Sequence, residues 1–360
     1  MHNILYLTHV AWGWILQRPQ FIAEELSHDN IVDYFYVKSN RFRRANRVLR
    51  KENLTVKGFR FWPFERIPFI HLKWLDQINK FYFYLSKIDF SYYDIIWITD
   101  PRFYFLIKNK IEGKKLVYDC MDDMLEFPYI KRFPQLLKYV KESEKQLMYD
   151  ADIVICSAKS LQNKIFTRYG IHRNIEIVNN AITDDIINYS IEGENLPPNS
   201  LVYIGTISEW FDFKSVIYSL ERHPNLNVLL YGPIRMSNQP QHERLIYKGS
   251  ISHNKILSVM SKAKGLIMPF VENELVESVN PVKLYEYIYS GKPVCATRYG
   301  ESEKFEDYVF LFKGKEEFDS FVEKVLYGDI HTDCRLMRDF ALQNTWHNRA
   351  EQIRKILSYQ

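Results

Sequence analysis

The feature of this chain that most constrains its fold is a repeated alternation of short apolar runs with stretches of helical periodicity. In the first half, runs of strand character occur at residues 3–8, 32–37, 95–99, 115–118 and 153–156. A second series follows at residues 201–204, 227–231, 265–268 and 293–297. Strands that alternate with helices are joined by right-handed crossovers, so each series predicts a parallel β-sheet of the α/β class.

The polar stretch 184–200, which contains Pro197-Pro198, separates the two series. A chain of 360 residues exceeds what one hydrophobic core usually serves. We therefore predict a first domain at 1–183, a second at 184–343 and a final helical segment at 344–360. Two similar α/β domains of this kind bind ligands in the cleft between them, at the carboxyl ends of the strands.

Composition argues against a membrane-spanning or metal-clustered protein. Hydrophobic residues make up 46% and charged residues 26% of the chain, which is ordinary for a soluble globular protein. No apolar run approaches the roughly 18 residues that span a bilayer. The four cysteines lie far apart and lack metal-site spacing. The first six residues show no charged leader, so we expect a cytoplasmic protein.

The net charge of +4 conceals a local imbalance. Residues 39–80 contain eleven Lys or Arg against three Asp or Glu, and they also carry seven Phe or Trp. Such a basic and aromatic surface indicates an anionic partner. A membrane surface is the favoured partner, because Lys and Arg meet anionic head groups while Trp and Phe sit at the interface. Nucleic acid is not expected as the partner, since no recognition motif accompanies the segment. The remaining alternative is that aromatic residues are simply abundant throughout the chain, which would explain the rings of this segment but not its excess of positive charge.

The strongest local motif is the segment 280–293, Asn-Pro-Val-Lys-Leu-Tyr-Glu-Tyr-Ile-Tyr-Ser-Gly-Lys-Pro. We predict Asn280 as a helix N-cap, Pro281 as the first helical residue and Gly291 as the residue beyond the helix end. Lys283 then lies in the first turn, where the helix dipole disfavours a cation. This placement predicts that an anion binds at the helix start, where free backbone N–H groups point outward.

Lys283 and Glu286 are three residues apart, so they share one face of the predicted helix. Lys283 would hold a phosphate, while Glu286 would accept hydrogen bonds from ribose hydroxyls. A simple surface ion pair between the two side chains is the competing interpretation, and the spacing alone does not decide between them.

The segment 280–293 also resembles the donor-binding motif of GT-B glycosyltransferases, particularly bacterial enzymes that build surface polysaccharides. The resemblance extends over most of the chain and is clearest over residues 201–297. It is carried further by Asn179-Asn180-Ala181, Leu201–Thr206, Leu229–Pro233 and Gly249–Phe270. It implies two Rossmann-like domains facing a cleft, a nucleoside diphosphate sugar bound by the second domain, and a last helix that crosses back to the first.

On the donor side, the resemblance implies nucleotide binding through Gly205, Ser278, Val279, Lys283 and Glu286. Many retaining members have two Glu separated by seven residues, and here the first of these positions is Ser278, beside Glu277. A serine can still bond a phosphate oxygen, helped by the backbone N–H of Val279. Asp212 resembles a family position near the donor loop, although it equally suits the N-cap of the following helix.

The first half resembles a narrower group, similar to teichuronic-acid and xanthan-type glucuronosyltransferases. The residues that carry this resemblance are Trp12-Gly13-Trp14, Gln17–Gln20 and Tyr118-Asp119-Cys120-Met121-Asp122-Asp123. In an inverting member a carboxylate takes the proton from the acceptor hydroxyl, and Asp122 is the first choice, ahead of Asp119 and Asp123. Two of the three would otherwise cap a helix or pair with Arg or Lys. In a retaining enzyme the cluster would orient the acceptor.

Two further residues are candidates in the first domain. His9 ends the first strand and is a competing base or acceptor ligand, although lone histidines are more often structural. Arg18 would reach a phosphate or an acceptor carboxylate, or would be positional at a helix start before Pro19.

These observations predict a GT-B glycosyltransferase that moves a sugar from a nucleotide sugar, UDP in preference to GDP, to a glycan acceptor on a lipid carrier. We expect no cofactor and no metal, because helix N-termini and Lys or Arg stabilise the leaving diphosphate. A GT-A enzyme would instead use 119–123 as a metal-binding motif, but two α/β halves argue against that class. The alternatives are a sugar-nucleotide 2-epimerase of the same architecture and a non-catalytic membrane-surface binding protein. The expected location is the inner face of the plasma membrane.

Overall fold

Both halves of the chain fold as parallel sheets with connecting helices, as the alternation of apolar runs predicts. The computed structural model describes residues 1–13, 16–38, 49–64, 72–171, 173–193 and 195–358. The chain divides into a first unit, Met1–Asn179 with Arg349–Gln360, and a second unit, Asn180–Asn348.

The first unit contains an eight-stranded sheet in the order β3-β4-β2-β1-β5-β6-β7-β8, in which β3 runs antiparallel to β4 and the other pairs are parallel. Its strands are β1 (Asn3–Thr8), β2 (Ile31–Val37), β3 (Leu49–Arg50), β4 (Leu54–Phe59), β5 (Ile95–Ile98), β6 (Lys115–Cys120), β7 (Ile153–Cys156) and β8 (Glu176–Ile177). Its helices are α1 (Arg18–Leu26), α2 (Leu72–Tyr84), α3 (Tyr104–Ile107), α4 (Pro128–Lys131), α5 (Pro134–Asp150) and α6 (Lys159–Tyr169).

The central strands of this sheet are buried on both faces, as expected where helices cover a parallel sheet. All four residues of β5 and of β7 are buried. Stacked rings join the middle strands, with Tyr6 5.4 Å from Tyr34 and 5.5 Å from Trp97 between ring centroids. Because β1, β5 and β6 are neighbours, the residues that follow them meet at one edge of the sheet.

The second unit contains a six-stranded parallel sheet in the order β11-β10-β9-β12-β13-β14. Its strands are β9 (Ser200–Ile204), β10 (Asn227–Tyr231), β11 (Leu245–Gly249), β12 (Gly265–Met268), β13 (Val294–Thr297) and β14 (Phe310–Phe312). Its helices are α7 (Phe213–Arg222), α8 (Ile256–Lys262), α9 (Val282–Ser290), α10 (Gly314–Tyr327) and α11 (Cys334–Gln343).

The last helix, α12 (Trp346–Ser358), contributes its residues from Arg349 onward to the first unit. There the Arg349 Nε donates to the carbonyl of Asn179 at 3.1 Å, and the Gln352 amide donates to the carbonyl of Ile177 at 2.8 Å. Within the part of the chain that the structure describes, no helix is long and apolar enough to cross a membrane.

The basic aromatic segment 39–80 is only partly a surface. Phe59 and Phe64 are both buried in the first unit. Phe59 belongs to strand β4, which was not predicted, and Phe64 packs in a separate hydrophobic cluster with Leu75. Trp62 and Trp74 are exposed, as predicted. Residues 39–48 and 65–71 of this segment, and Trp14 of the first motif, lie outside the described residues.

Candidate active site

In the first unit, the predicted catalytic residues collect where three neighbouring strands end. His9 follows β1, Asp100 follows β5, and Asp119 lies near the end of β6 with Asp122 just beyond it. The sheet order places these strand ends side by side. The acidic run of the sequence therefore has its three carboxylates in one neighbourhood, but each has different partners.

Asp119 forms a buried ion pair with Arg18, the first residue of α1. The Arg18 Nε donates to the two Asp119 carboxylate oxygens at 3.0 and 3.1 Å, and a terminal nitrogen of the same guanidinium lies 2.9 Å from Oδ1. The other terminal nitrogen donates to the carbonyl of Val178 at 2.7 Å. Both side chains are almost completely buried. This is the ion-pair alternative that the sequence left open, and it gives Arg18 and Asp119 a positioning function in this structure.

Asp123 is likewise paired. Its two oxygens accept hydrogen bonds from the Arg168 guanidinium at 2.9 and 2.7 Å, and the Lys164 ammonium lies 3.9 Å away. Arg168 also contacts Glu144 at 3.4 Å, so the pair belongs to a buried network between α5 and α6. Asp123 is therefore a structural residue.

Asp122 is the member of the run that lines a cavity. It lines a small cavity together with His9, Thr99, Tyr118 and Met124. Burial raises the pKa of Asp122 to about 7; the Arg18 cation opposes this shift, and the neighbouring Asp119 and Asp123 charges add to it. A carboxyl group with a pKa near neutrality is suited to take a proton in a reaction at physiological pH.

His9 borders the same cavity beside a buried ion pair that the sequence analysis missed. The carboxylate of Asp100 accepts hydrogen bonds from the Arg102 guanidinium at 3.0 and 2.7 Å. The buried Nδ1 of His9 lies 3.4 Å from Asp100 Oδ2 without hydrogen-bond geometry. Burial lowers the pKa of His9, an effect that Asp100 opposes. A neutral imidazole therefore faces the cavity. The signal for Asp100 was present in Asp100-Pro101-Arg102, directly after a buried strand.

In the second unit, two glycine loops lie in contact at the ends of β9 and β10. The N–H of Gly205 donates to the carbonyl of Tyr231 at 2.8 Å. A Cβ on Gly232, which has a φ of 147°, would lie 1.8 Å from the Gly205 carbonyl oxygen. A Cβ on Gly205 would lie 2.5 Å from the Tyr203 hydroxyl. Gly232 therefore requires glycine, whereas a side chain at Gly205 would require the buried Tyr203 ring to shift.

Helix α9 begins one residue later than predicted. Pro281, rather than Asn280, occupies the N-cap, and no side chain caps the helix. The Asn280 side-chain oxygen instead accepts a hydrogen bond from the backbone N–H of Asn180 at 2.9 Å. It is therefore engaged by a distant loop rather than by the first turn of α9. A helix start without a side-chain cap keeps first-turn N–H groups for an external anion. At the other end Gly291 adopts a φ of 73°, as predicted for a helix terminator.

Lys283 and Glu286 form the ion pair that was the competing interpretation of their spacing, and two further residues extend it; binding of a nucleotide by either side chain stays a prediction. The Lys283 ammonium lies 2.6 Å from Glu286 Oε2, and the Nε2 of His253 lies 3.0 Å from Glu286 Oε1. The hydroxyl of Tyr189 lies 2.8 Å from the His253 Nδ1. Burial tends to raise the pKa of Glu286, but Lys283 and His253 together hold it below its ordinary value. Glu286 is therefore an ionised, hydrogen-bond-accepting group.

The other predicted donor-side residues have local partners. Asp212 caps α7, since its carboxylate accepts the Ser215 N–H at 3.1 Å. The Ser278 side chain is buried, with its hydroxyl 3.4 Å from the Glu274 carbonyl. The N–H of Val279 donates to the Val276 carbonyl at 3.0 Å. Ligand contacts by these three residues stay predictions. Among the described residues, no cluster of three His, Cys, Asp or Glu is arranged to hold a metal ion.

Comparisons with known proteins agree with the fold. No family model matches the chain. It is 24% identical over 291 residues to TuaH of Bacillus subtilis (strain 168), which is assigned as a teichuronic acid biosynthesis glycosyltransferase; the match covers 74% of this chain and 72% of that protein.

Solved structures match over nearly the whole length. HepE of Anabaena, in complex with UDP and glucose, has a TM-score of 0.73 at 15% identity and 100% coverage of both chains. The sucrose-phosphate synthase of Thermosynechococcus elongatus has a TM-score of 0.69 at 14% identity, with 100% of this chain and 99% of that one covered. These structures establish the GT-B fold.

The fold is that of GT-B glycosyltransferases, as the sequence predicted, and the chain is similar in sequence to a glycosyltransferase. The more particular resemblance, to the teichuronic-acid enzymes, is confirmed by the similarity to TuaH.

Proposed function

We propose that this protein transfers a sugar from a UDP-sugar to a glycan acceptor in the synthesis of a surface polysaccharide. The observation that carries the proposal is the uncapped start of α9, which has Lys283 in its first turn and the ionised Glu286 on the same helix face. TuaH, with its assignment to teichuronic acid synthesis, and HepE, solved with UDP-glucose, support the donor and the pathway class.

Donor binding is proposed for the second unit. The diphosphate is bound by the Lys283 ammonium and the first-turn N–H groups of α9, which together provide a positive site for an anion. The ribose hydroxyls donate to the free lone pairs of Glu286. The glycine loop at Gly205 and the segment Ser278-Val279 contribute backbone and hydroxyl contacts to the nucleotide.

Acceptor activation is proposed for the first unit. Asp122 takes the proton of the acceptor hydroxyl as its oxygen forms a bond to the anomeric carbon of the donor sugar. The bond from that carbon to the diphosphate oxygen breaks, and its electrons remain on the UDP leaving group. Lys283 and the helix start stabilise that developing charge, so the proposed reaction requires no metal. His9 and Thr99 border the same cavity and would orient the acceptor.

The test is an assay of UDP or GDP release from a panel of nucleotide sugars, with and without an undecaprenyl-diphosphate-linked sugar. We expect release from a UDP-sugar that depends on the lipid-linked acceptor. Conversion of a free UDP-sugar without an acceptor would indicate the epimerase alternative. No turnover with any donor and acceptor pair would overturn the transferase proposal.

We further propose that the enzyme works at the inner face of the plasma membrane and that α2 contacts the lipid. Trp74, Phe81 and Tyr84 are 71%, 59% and 80% exposed. Trp74 and Phe81 are seven residues apart and share a face of the helix, and Tyr84 neighbours Phe81 at a spacing of three. Exposed Lys73 and Lys80 lie on the same helix. Aromatic rings with lysines are the combination that binds an anionic membrane interface.

The orientation of α2 is fixed from its buried side. Its buried residues, Leu75, Asn79 and Phe83, face the interior of the first unit. The Asn79 side chain accepts the Trp62 N–H at 2.7 Å and donates to the Trp62 carbonyl at 3.1 Å. The exposed rings are therefore held outward by specific contacts on the opposite face.

Vesicle co-sedimentation tests this surface. We expect binding to vesicles containing anionic phospholipid, weakened by salt and by the double variant Trp74→Ala/Phe81→Ala. Tyr327→Ala is the matched control, because Tyr327 is an equally exposed ring, at 72%, in the second unit. Equal binding of the double variant and the control would overturn the assignment of α2.

A further inference from the structure

His253 is the residue in the second unit whose contacts extend beyond either predicted motif. It begins the 3-10 turn His253–Lys255 that leads into α8. Its two ring nitrogens both have partners, Tyr189 at 2.8 Å and Glu286 at 3.0 Å. The Tyr189 ring stands at 90° to the imidazole, with 5.6 Å between ring centroids. The histidine is thus fixed in position and in rotation about its side-chain bonds.

The chemistry of the two partners assigns the proton on the imidazole. A carboxylate only accepts hydrogen bonds, so the Nε2 next to Glu286 must carry hydrogen. Burial raises the pKa of Tyr189 to about 12, and the Glu286 charge acts in the same direction. Tyr189 therefore keeps its hydrogen and donates it to Nδ1. This direction of hydrogen bonding, from Tyr189 through His253 to Glu286, holds for a neutral histidine.

The contact with His253 also determines how Glu286 and Lys283 share charge. Lys283 lies 2.6 Å from Oε2, while His253 occupies Oε1. If His253 were missing, the carboxylate would be free to rotate and turn both oxygens to the lysine. A lysine neutralised in this way binds a phosphate less well, and the carboxylate lone pairs would no longer point in one direction.

We propose that His253 is a positioning residue for the donor nucleotide, which fixes the carboxylate of Glu286 for the ribose hydroxyls and limits its pairing with Lys283. This inference rests on the proposed function, since it concerns the same nucleotide site. Tyr189 supports the histidine from the other side and is the second member of this positioning pair.

The experiment is calorimetric titration of the full-length protein with UDP, 2′-deoxy-UDP and 3′-deoxy-UDP. In the wild type, loss of the ribose hydroxyl that meets Glu286 should weaken binding roughly tenfold. In His253→Ala, UDP itself should bind roughly tenfold more weakly, and the deoxy penalty should shrink to about twofold, because the two losses share one interaction. A merely structural role would not change the deoxy penalty.

Three further variants complete the test. His253→Gln keeps an N–H donor for Glu286 and should restore UDP affinity to within about threefold of the wild type. Tyr189→Phe should cause a smaller loss than His253→Ala. His223→Ala is the matched control, because His223 forms an equivalent 3.0 Å contact with Asp319 elsewhere in the second unit, and it should bind UDP normally.

The possible failures are distinguishable. A wild type that does not bind UDP, or that shows no deoxy penalty, contradicts the proposed donor site. A wild type that shows the penalty, together with an equal penalty in His253→Ala, overturns the positioning role alone. If His253→Ala does not fold, His253→Gln decides, because a loss of UDP affinity of roughly tenfold or more in that variant would also overturn the role.

Discussion

Asp122 in the first unit and Glu286 in the second are both carboxylates near the carboxyl edge of a parallel sheet, yet their pKa values shift in opposite directions. Burial raises that of Asp122 to about 7. Burial acts on Glu286 in the same sense, but Lys283 and His253 reverse the result. The two pKa values differ because Glu286 has cationic and N–H donors within hydrogen-bond distance, Lys283 and His253, that stabilise its ionised form.

The acidic run Asp119–Asp123 of the first unit shows the same dependence on hydrogen-bond donors within five residues. Asp119 and Asp123 each accept hydrogen bonds from an arginine guanidinium, and we interpret these two ion pairs as structural. Asp122, between them, lines a small cavity instead. One carboxyl is thereby prepared to gain a proton, whereas Glu286 is prepared to accept hydrogen bonds while ionised. The predictions below test this division of roles.

The largest effect is expected for Asp122→Asn. Without a base for the acceptor hydroxyl, sugar transfer should fall by roughly a thousandfold, while UDP affinity is unchanged, because Asp122 lies in the other unit from the donor residues. Glu126→Gln, which removes a carboxylate of the same segment paired with Lys131, is the control and should keep activity. Transfer by Asp122→Asn at the wild-type rate would exclude Asp122 as the base.

Lys283→Ala should weaken UDP binding roughly a hundredfold, because a charge-assisted contact to the diphosphate is lost. Lys315→Ala is a matched control, since Lys315 is also the second residue of a helix and also lies near a glutamate, at 3.8 Å. Titration with UDP measures both variants. An unchanged affinity in Lys283→Ala would leave the pair with Glu286 as a purely structural contact.

A smaller, opposite pair of effects is expected on stability. Because the folded-state pKa of Asp122 is raised, its contribution to stability is fully present below the ordinary carboxyl pKa of about 4 and is lost as the pH rises through about 7. Asp122→Asn should therefore increase the free energy of unfolding at about pH 8, by roughly 2 kcal/mol, with little difference near pH 4.

Glu286→Gln should act in the other direction. Its folded-state pKa is lowered, so its ionised form stabilises the fold above the ordinary carboxyl pKa, and this contribution is lost as the pH falls through the folded value. Denaturant unfolding at two pH values measures both variants. If both substitutions changed the free energy of unfolding in the same direction at about pH 8, the opposite pKa shifts of Asp122 and Glu286 would be contradicted.

The smallest effect is expected from chelation. If Lys283 and the start of α9 stabilise the leaving diphosphate, transfer should change less than about twofold in the presence of EDTA. Loss of activity on chelation, restored by Mg²⁺ or Mn²⁺, would contradict this part of the proposal.

Much of the fold could be predicted because local signals were strong. The strand Asn3–Thr8 and the terminator Gly291 follow directly from an apolar run and from the left-handed backbone that glycine permits. Strand β4 was missed because its sequence, Leu-Thr-Val-Lys-Gly-Phe, lies in a segment dominated by positive charge. The positive charge of the surrounding segment obscured the apolar pattern of this strand, in which Leu54, Val56 and Phe59 are buried.

The site was predicted less completely, for a physical reason. Lys283 and Glu286 are three residues apart on one helix, so their pairing is a local property. The contacts of Arg18 with Asp119, and of His253 with Glu286, join residues that are 101 and 33 positions apart. Only the folded sheets bring these groups together, so sequence alone left Arg18 with two possible roles and gave no indication of His253.

The most direct test of the division between the two carboxylates is the pH dependence of kcat/KM for sugar transfer, measured beside the pH dependence of UDP affinity. We predict that kcat/KM rises to a plateau with an apparent pKa of about 7, set by Asp122. UDP affinity should stay nearly constant above about pH 7, because Glu286 and the terminal phosphate of UDP are both ionised there. A flat kcat/KM profile between about pH 5.5 and 8.5, with UDP affinity changing instead, would contradict the account.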